Sequence, residues 1–168
     1  MNLIFEELSV NHRIPVMDIF NYYIENGFSA YPERPLSYDF FDKFLEITKG
    51  YPSFAINLDG NIVGFCYLSA YNPLPTFKET AQITYFISKD FTGKGIGKIA
   101  LKKLEDEARK MNIKVILAHI SSLNDASIEF HLKHGFKECG RFQKIIKKND
   151  VLFDIIWMQK FSAPVLDI

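Results

Sequence analysis

A short stretch dense in glycine most constrains the fold of this 168-residue chain. Gly93, Gly95 and Gly97 stand at alternate positions, shortly after the β-rich run 83–87. The residues from 96 to 109 then have the apolar spacing of one helix face. A strand that leads into a helix through glycines predicts an anion site, because free backbone N–H groups converge there and the helix dipole favours negative charge. We interpret the stretch as a phosphate-binding loop.

The spacing of the glycines does not fit two common phosphate ligands. A nucleoside-triphosphate loop ends in Gly-Lys-Ser/Thr, whereas Gly97-Lys98 is followed here by Ile99. A dinucleotide loop has the pattern Gly-x-Gly-x-x-Gly near the start of a βαβ unit. This chain instead has Gly-x-Gly-x-Gly, and it lies beyond the middle of the sequence.

Composition limits the class of protein that carries this loop. Acidic and basic residues balance at 20 each, so we expect neither a nucleic-acid partner nor an anionic membrane. Two cysteines, Cys66 and Cys139, are too few for a disulfide framework and lack metal-ligand spacing, so we expect no metal. Neither a signal peptide nor a membrane span is recognisable. We therefore expect one cytoplasmic domain over residues 1–168.

Hydrophobic periodicity and turn residues predict the element order β-α-α-β-β-β-α-β-α-β-β. Among the turn residues, Asp59-Gly60 favours a tight hairpin, Gly27 is a helix stop, and Asn124 or Asp125 caps a helix. This order predicts an α/β fold in which a mixed sheet has helices on both faces. The predicted strands are 2–8, 53–58, 61–69, 81–87, 114–120, 136–146 and 151–158, and the predicted helices are 15–24, 37–48, the segment after the glycines, and 124–134.

Two motifs in this order resemble the GNAT superfamily of N-acetyltransferases. Residues 92–97, Thr-Gly-Lys-Gly-Ile-Gly, resemble its pyrophosphate loop, Gln/Arg-x-x-Gly-x-Gly/Ala, with Thr92 at the first position. Residues 124–136 resemble its second signature, an Asn, a short helix and a Leu-Tyr-x-x-x-Gly-Phe ending. His131 in place of that Tyr, with the Asn-x-x-Ser spacing before it, resembles the phosphinothricin acetyltransferase branch. The likeness covers residues 2–161.

The resemblance implies a splayed GNAT fold with acetyl-CoA as cosubstrate. In this family the strand before the loop and the strand after its helix diverge, and the pantetheine arm pairs with the backbone that this leaves unpaired. The implied cofactor contacts are Phe86, Ile87, Thr92, Gly93, Lys94, Gly95, Ile96, Gly97, Lys98, Asn124 and Ser127.

The reaction that the resemblance implies is direct acetyl transfer, in which an amine attacks the thioester without a covalent enzyme intermediate. We expect the acceptor to be the primary amine of a small molecule, an amino acid or an analogue such as phosphinothricin. Two alternatives stay open: acetylation of a protein N-terminus or a polyamine, and a non-catalytic acyl-CoA sensor. The branch also implies a possible homodimer.

Two residues are candidates for the chemistry. Relatives of this branch carry a Glu that accepts the amine proton, and the matching position here is Gln82, which cannot act as a base near neutral pH. We expect Gln82 to orient substrate or water, or to be a strand residue without a chemical role. His131 matches the general-acid Tyr of many relatives and is expected near the leaving thiolate.

The acceptor site is the least defined part of the sequence. We assign Tyr31, Tyr85 and Lys148 to it, with core packing as the alternative for the aromatic residues and a solvated hairpin as the alternative for the lysine. Arg141 is a further candidate partner for an acceptor carboxylate. For His119, at the end of a buried strand, a structural role is expected.

Overall fold

The computed structural model describes residues 2–163, and its elements follow the predicted order. The outer ends of the predicted domain, residue 1 and residues 164–168, lie outside the described part. The strands are β1 Leu3–Glu7, β2 Ser53–Leu58, β3 Asn61–Ala70, β4 Thr80–Ile87, β5 Val115–Ser121, β6 Lys137–Lys148 and β7 Val151–Phe161. The α-helices are α1 Arg13–Glu25, α2 Phe41–Ile47, α3 Ile96–Lys110 and α4 Asp125–Lys133.

One mixed sheet holds these strands in the order β1-β2-β3-β4-β5-β7-β6. Every neighbouring pair is antiparallel except β4 and β5, which are parallel and are connected in the chain through α3. The predicted tight turn between β2 and β3 is present, with Asp59 and Gly60 both at positive φ. The parallel pair therefore stands in the middle of an otherwise antiparallel sheet.

Alternation along β3 shows that the sheet is covered on both faces. Phe65 and Tyr67 face one cluster of buried side chains, which α1 and α2 complete. Cys66 and Leu68 face the opposite cluster, to which α3 contributes its apolar face and α4 a few partly buried side chains. This confirms the predicted helices on both faces.

The first helix departs slightly from the prediction. It begins at Arg13, so Pro15 occupies its third position rather than its first. Proline fits there because the N–H groups of a helix's first turn have no intrahelical acceptor to lose. Gly27 follows the helix at a φ of +136°, as expected for a stop.

The parallel pair β4–β5 is short, and this positions the site. Thr80, Ala81 and Gln82 pair with Val115, Ile116 and Leu117, and the ladder ends there. Beyond that point β4 continues only with β3, and β5 only with β7. The two strands therefore part in the middle of the sheet, as the resemblance implied.

Candidate active site

The gap between β4 and β5 opens into a cleft of about 780 Å³. Its walls are the separated halves of the two strands, the glycine loop, α4 and the segment after α1. The lining side chains that carry the argument below are Tyr31, Tyr85, Lys98, His119, Asn124 and His131.

The free edge of β4 presents backbone hydrogen-bonding groups to this cleft. The N–H of Ser88 donates to the carbonyl of Val63 on β3 at 2.7 Å, which fixes the alternation of the antiparallel ladder. Residues 82, 84 and 86 therefore turn their backbone groups to β3, and residues 83 and 85 turn theirs to the gap. A pantetheine arm lying in the gap can pair with Ile83 and Tyr85.

Phe86 and Ile87 line the cleft as expected, but this alternation turns the backbone groups of Phe86 to β3. Its carbonyl oxygen points at β3, where a Cβ added to Gly64 would lie only 2.8 Å from it. Its ring packs against Phe20, Tyr23 and Phe65 on the α1 side of the sheet. The carbonyl of Ile87 accepts a hydrogen bond from the Tyr23 hydroxyl at 2.5 Å, so this oxygen too has a protein partner.

The glycine loop closes one end of the cleft. Gly93 and Gly95 have φ values of +73° and +83°, in the left-handed region that glycine tolerates best. The first hydrogen bond at this end of α3 runs from the Ile99 N–H to the Gly95 carbonyl at 3.2 Å. In the described residues the N–H groups of Ile96, Gly97 and Lys98 have no protein acceptor, which is the arrangement that binds a phosphate.

The residues of this loop differ in whether they line the cleft. Gly97 and Lys98 line the cleft, as do Thr92 and the two glycines before the helix. The Thr92 hydroxyl donates to the Lys89 carbonyl at 2.8 Å, so it braces the loop. The Ile96 side chain is buried in the core, and the Lys94 Nζ lies 4.8 Å from the centroid of the Phe91 ring. Neither side chain lines the cleft, although both residues were predicted cofactor contacts. Only their backbone groups remain candidates for a cofactor contact.

Asn124 joins the start of α4 to the opposite wall. Its Oδ1 accepts from the Ser127 N–H at 3.2 Å, which is an N-cap, while its Nδ2 donates to the Ser29 hydroxyl at 3.3 Å. Both predicted residues, Asn124 and Ser127, lie on the cleft wall. The cap and the position in the wall are compatible roles.

Tyr85 and His131 form a hydrogen-bonded pair inside the cleft. The Nδ1 atom of His131 lies 2.6 Å from the Ser127 carbonyl oxygen, which can only accept, so Nδ1 carries the proton. Nε2 is then an acceptor, and the Tyr85 hydroxyl donates to it. Burial lowers the pKa of the His131 imidazole and raises that of the Tyr85 phenol, so both groups are neutral near pH 7.

Tyr31 and His119 form a second pair on the opposite side of the sheet. Ile116, Ala118 and Ile120 of β5 face the α3 core, so His119 between them faces the other way. The Tyr31 hydroxyl lies 3.1 Å from His119 Nδ1, and the imidazole packs on the Trp157 ring at 5.2 Å. His119 is open to the cleft, but its crowded surroundings lower its pKa, and burial raises that of Tyr31 to about 12.

Gln82 lies at the point where the strands part, but its side chain does not line the cleft. Alternation along β4 places it on the same face of the sheet as His119, opposite to Tyr85. The described residues that line the cleft include no Asp or Glu. The carboxylate that relatives place at position 82 therefore has no substitute in the cleft wall.

The prediction that Lys148 binds a carboxylate of the acceptor was wrong. Lys148 is fully buried, and its Nζ donates to the carbonyls of Ile24, Gly27 and Ala30 at 2.7 to 2.8 Å. All three ammonium donors are thereby used, so Lys148 holds the segment after α1 rather than a substrate. The Nε of Arg141 is likewise bound, to the Asp154 carboxylate at 2.7 Å.

The sequence prediction missed several residues of the cleft wall. Lys89 and Lys133 add positive charge beside Lys98, and Ser29 comes from the segment after α1. Lysines on surface loops have no local pattern that distinguishes a ligand contact from a solvated charge. His119 could have been found, because it is the one charged or titratable side chain in an otherwise apolar strand run.

Residues 2–163 contain neither a cluster of metal-binding side chains nor a membrane-spanning helix. No group of three or more His, Cys, Asp or Glu side chains there could hold a metal ion. No helix in this range is long and apolar enough to cross a membrane.

The family match and the curated relatives of this chain indicate the same family. The family described as acetyltransferase (GNAT) matches residues 16–136, from α1 to the end of the second motif. Among curated proteins, L-methionine sulfoximine/L-methionine sulfone acetyltransferase of Pseudomonas paraeruginosa is 30% identical over 117 residues, 69% of this chain and 68% of that protein. Other curated relatives are named phosphinothricin N-acetyltransferase.

Solved structures share the fold over nearly the whole chain. The ribosomal-protein-alanine N-acetyltransferase of Brucella melitensis superposes with a TM-score of 0.87 at 26% identity, covering 94% of this chain and 99% of that one. A phosphinothricin acetyltransferase of Sinorhizobium meliloti, solved with acetyl-CoA, gives 0.88 at 24% identity, covering 96% and 89%.

Proposed function

Because the chain belongs to the acetyltransferase (GNAT) family and is an acetyl-CoA-dependent N-acetyltransferase, we propose that it acetylates the α-amine of an amino acid or amino-acid analogue. The observation that carries this proposal is the cleft between β4 and β5. It joins the glycine loop at one end to Tyr31 and His119 at the other, so a donor and an acceptor can meet within it.

The acceptor class rests on the curated relatives and on the charge of the cleft. The relative from Pseudomonas paraeruginosa is named for methionine sulfoximine and methionine sulfone, both amino-acid analogues. Lys89, Lys98 and Lys133 are the charged side chains of the described cleft wall. Lys89 and Lys98 flank the glycine loop, so their charge favours the anionic cofactor. A polyamine would need carboxylates that this wall does not contain. A cytoplasmic location and a homodimer stay predictions.

Acetyl-CoA supplies an activated acetyl group, and the protein's task is to position it and to move protons. We propose that the N–H groups at the start of α3 hold the pyrophosphate and that the free edge of β4 holds the arm. The amine nitrogen then forms a bond to the acetyl carbon as the carbon–sulfur bond breaks.

The leaving thiolate needs a proton, and the Tyr85–His131 pair is positioned to provide it. His131 stands where relatives carry a general-acid Tyr, but its Nε2 has no proton to give in the tautomer that the Ser127 carbonyl requires. The hydroxyl that could donate is therefore that of Tyr85, with His131 as the positioning residue that holds it. The phenol regains its proton from solvent or from the amine nitrogen.

The proposal is tested by thiol release from acetyl-CoA with a panel of acceptors. The panel contains methionine sulfone, phosphinothricin, the common free amino acids, spermidine and a short peptide with a free N-terminus. We expect turnover with one or more free amino acids or analogues and little with spermidine. Turnover confined to the peptide would favour a protein N-terminal acetyltransferase, and acetyl-CoA binding without turnover would favour a sensor.

A further inference from the structure

The missing carboxylate at Gln82 leaves open which group takes the proton of the incoming ammonium. The imidazoles in the described cleft wall belong to His119, His131 and His134. His131 on α4 and His134 just after its end already have partners. His131 uses both ring nitrogens, and His134 donates from Nδ1 to the Phe130 carbonyl at 2.7 Å at the far end of α4.

His119 has one partnered and one open nitrogen and, unlike His134 beyond the end of α4, it lies on β5 beside the gap between the strands. Its Nδ1 faces the Tyr31 hydroxyl at 3.1 Å, while its Nε2 has no hydrogen-bond partner among the described residues. Trp157 supports the ring from β7 at 5.2 Å, which fixes the direction of the open nitrogen. The imidazole lies on the face of the sheet to which Gln82 also belongs.

We propose that His119 is the general base for the acceptor amine, held by Tyr31, and that it replaces the carboxylate absent at Gln82. This inference rests on the proposed function. In the tautomer that this role requires, the Nδ1–H donates to the Tyr31 oxygen, and the lone pair of Nε2 is open to the cleft. Nε2 takes one proton from the substrate ammonium and later releases it to solvent. The neutral amine then attacks, and its second proton reaches the sulfur.

The surroundings of His119 suit a base that works near neutral pH. The segment after α1 contributes Tyr31, β7 contributes Trp157, and β4 contributes Gln82 and Thr84 on the same face; none of these is charged at pH 7. Crowding by these neighbours desolvates the imidazole and lowers its pKa, which favours the unprotonated form at pH 7. The substrate ammonium is therefore the only charged group with which the His119 imidazole has to interact.

The test compares wild type with His119→Asn and His119→Gln in the full chain, using the best amino-acid acceptor of the panel. We expect kcat/KM for the amine to fall about 100-fold or more, the usual contribution of a positioned base. The KM for acetyl-CoA should stay within about twofold of wild type. In wild type kcat/KM should rise with pH through the imidazole pKa, and this limb should disappear in both variants.

Two further variants extend the test, and the second, Tyr31→Phe, keeps it informative if the histidine variants fold poorly. Gln82→Glu restores the carboxylate of the relatives, and the His119→Asn/Gln82→Glu double variant should regain at least tenfold of the lost rate. Tyr31→Phe keeps the histidine and should lower kcat/KM by about tenfold. Circular dichroism and urea midpoints establish that each variant is folded.

The outcomes separate this inference from the proposed function. If wild type acetylates an amino acid and His119→Asn does so at the same rate with the same pH profile, His119 is not the base, although the proposed function stands. If folded wild type binds acetyl-CoA but acetylates none of the amines, the proposed function itself fails.

Discussion

Replacing Lys148 by methionine tests the most unexpected contact in the structure. The substitution keeps an unbranched apolar stem and removes the ammonium that donates to the carbonyls of Ile24, Gly27 and Ala30. Each hydrogen bond to a charged group contributes about 1.5–3 kcal/mol. Removing three of them costs roughly 5–9 kcal/mol, and relief from burying the charge offsets part of it. We expect the free energy of unfolding to fall by about 3–5 kcal/mol.

The assay is urea denaturation followed by the fluorescence of the single tryptophan, Trp157. Lys147→Met is the matched control, because the neighbouring lysine is exposed and its ion pair with Asp150 spans 3.4 Å. This control should change the unfolding free energy by less than about 0.5 kcal/mol. Equal urea midpoints for the two variants would refute the structural role of Lys148. Loosening of the segment that carries Tyr31 should also raise the KM for the amine.

Three further predictions follow from other parts of the structure. Gly95→Ala forces a side chain onto a residue with a φ of +83°, at a cost of about 1 kcal/mol. The KM for acetyl-CoA, measured by steady-state kinetics, should therefore rise about fivefold. The control Lys103→Ala, on the same helix, should leave this KM unchanged. Tyr85→Phe removes the hydroxyl next to His131 and should lower kcat by about ten- to a hundredfold, and a kcat equal to wild type would exclude the phenol as proton donor. Asp154 has a pKa lowered by its hydrogen bonds from the Lys144 N–H and the Arg141 side chain, so its contribution is complete above the ordinary value of 3.8 and is lost as pH falls through the lowered folded-state pKa. As pH falls below 3.8, the urea midpoint of Asp154→Asn should therefore decline less steeply than that of wild type, and parallel curves for the two proteins would contradict this.

The order of elements was predictable because it depends on local patterns. The apolar face of α3, the Asp59-Gly60 turn and the Asn124 cap all act over a few residues, and the structure reproduces each of them. The separation of β4 and β5 is different, since no local pattern marks where a parallel ladder ends. It was expected only from the family resemblance.

The contacts that give the site its chemistry were less predictable, because they join distant parts of the chain. Tyr85 meets His131 across 46 positions, and Tyr31 meets His119 across 88. Lys148 reads as a solvated hairpin lysine, yet the fold brings three carbonyls from the segment after α1 around it. A sequence pattern can identify such residues but cannot show which of them are in contact. Tyr85 was therefore predicted to line the acceptor site, and His119 was predicted to have a structural role.

Mass spectrometry of a reaction with isotopically labelled acetyl-CoA tests the central claim most directly. The protein is incubated with the labelled donor and methionine sulfone, and the masses of the small molecule and of the intact protein are then measured. Direct transfer in the cleft predicts the label on the α-nitrogen of the amino-acid analogue and none on the protein. Label that accumulates on the protein before it reaches the product would contradict direct attack. If no amino acid or analogue in the panel acquires the label, the proposed function is wrong.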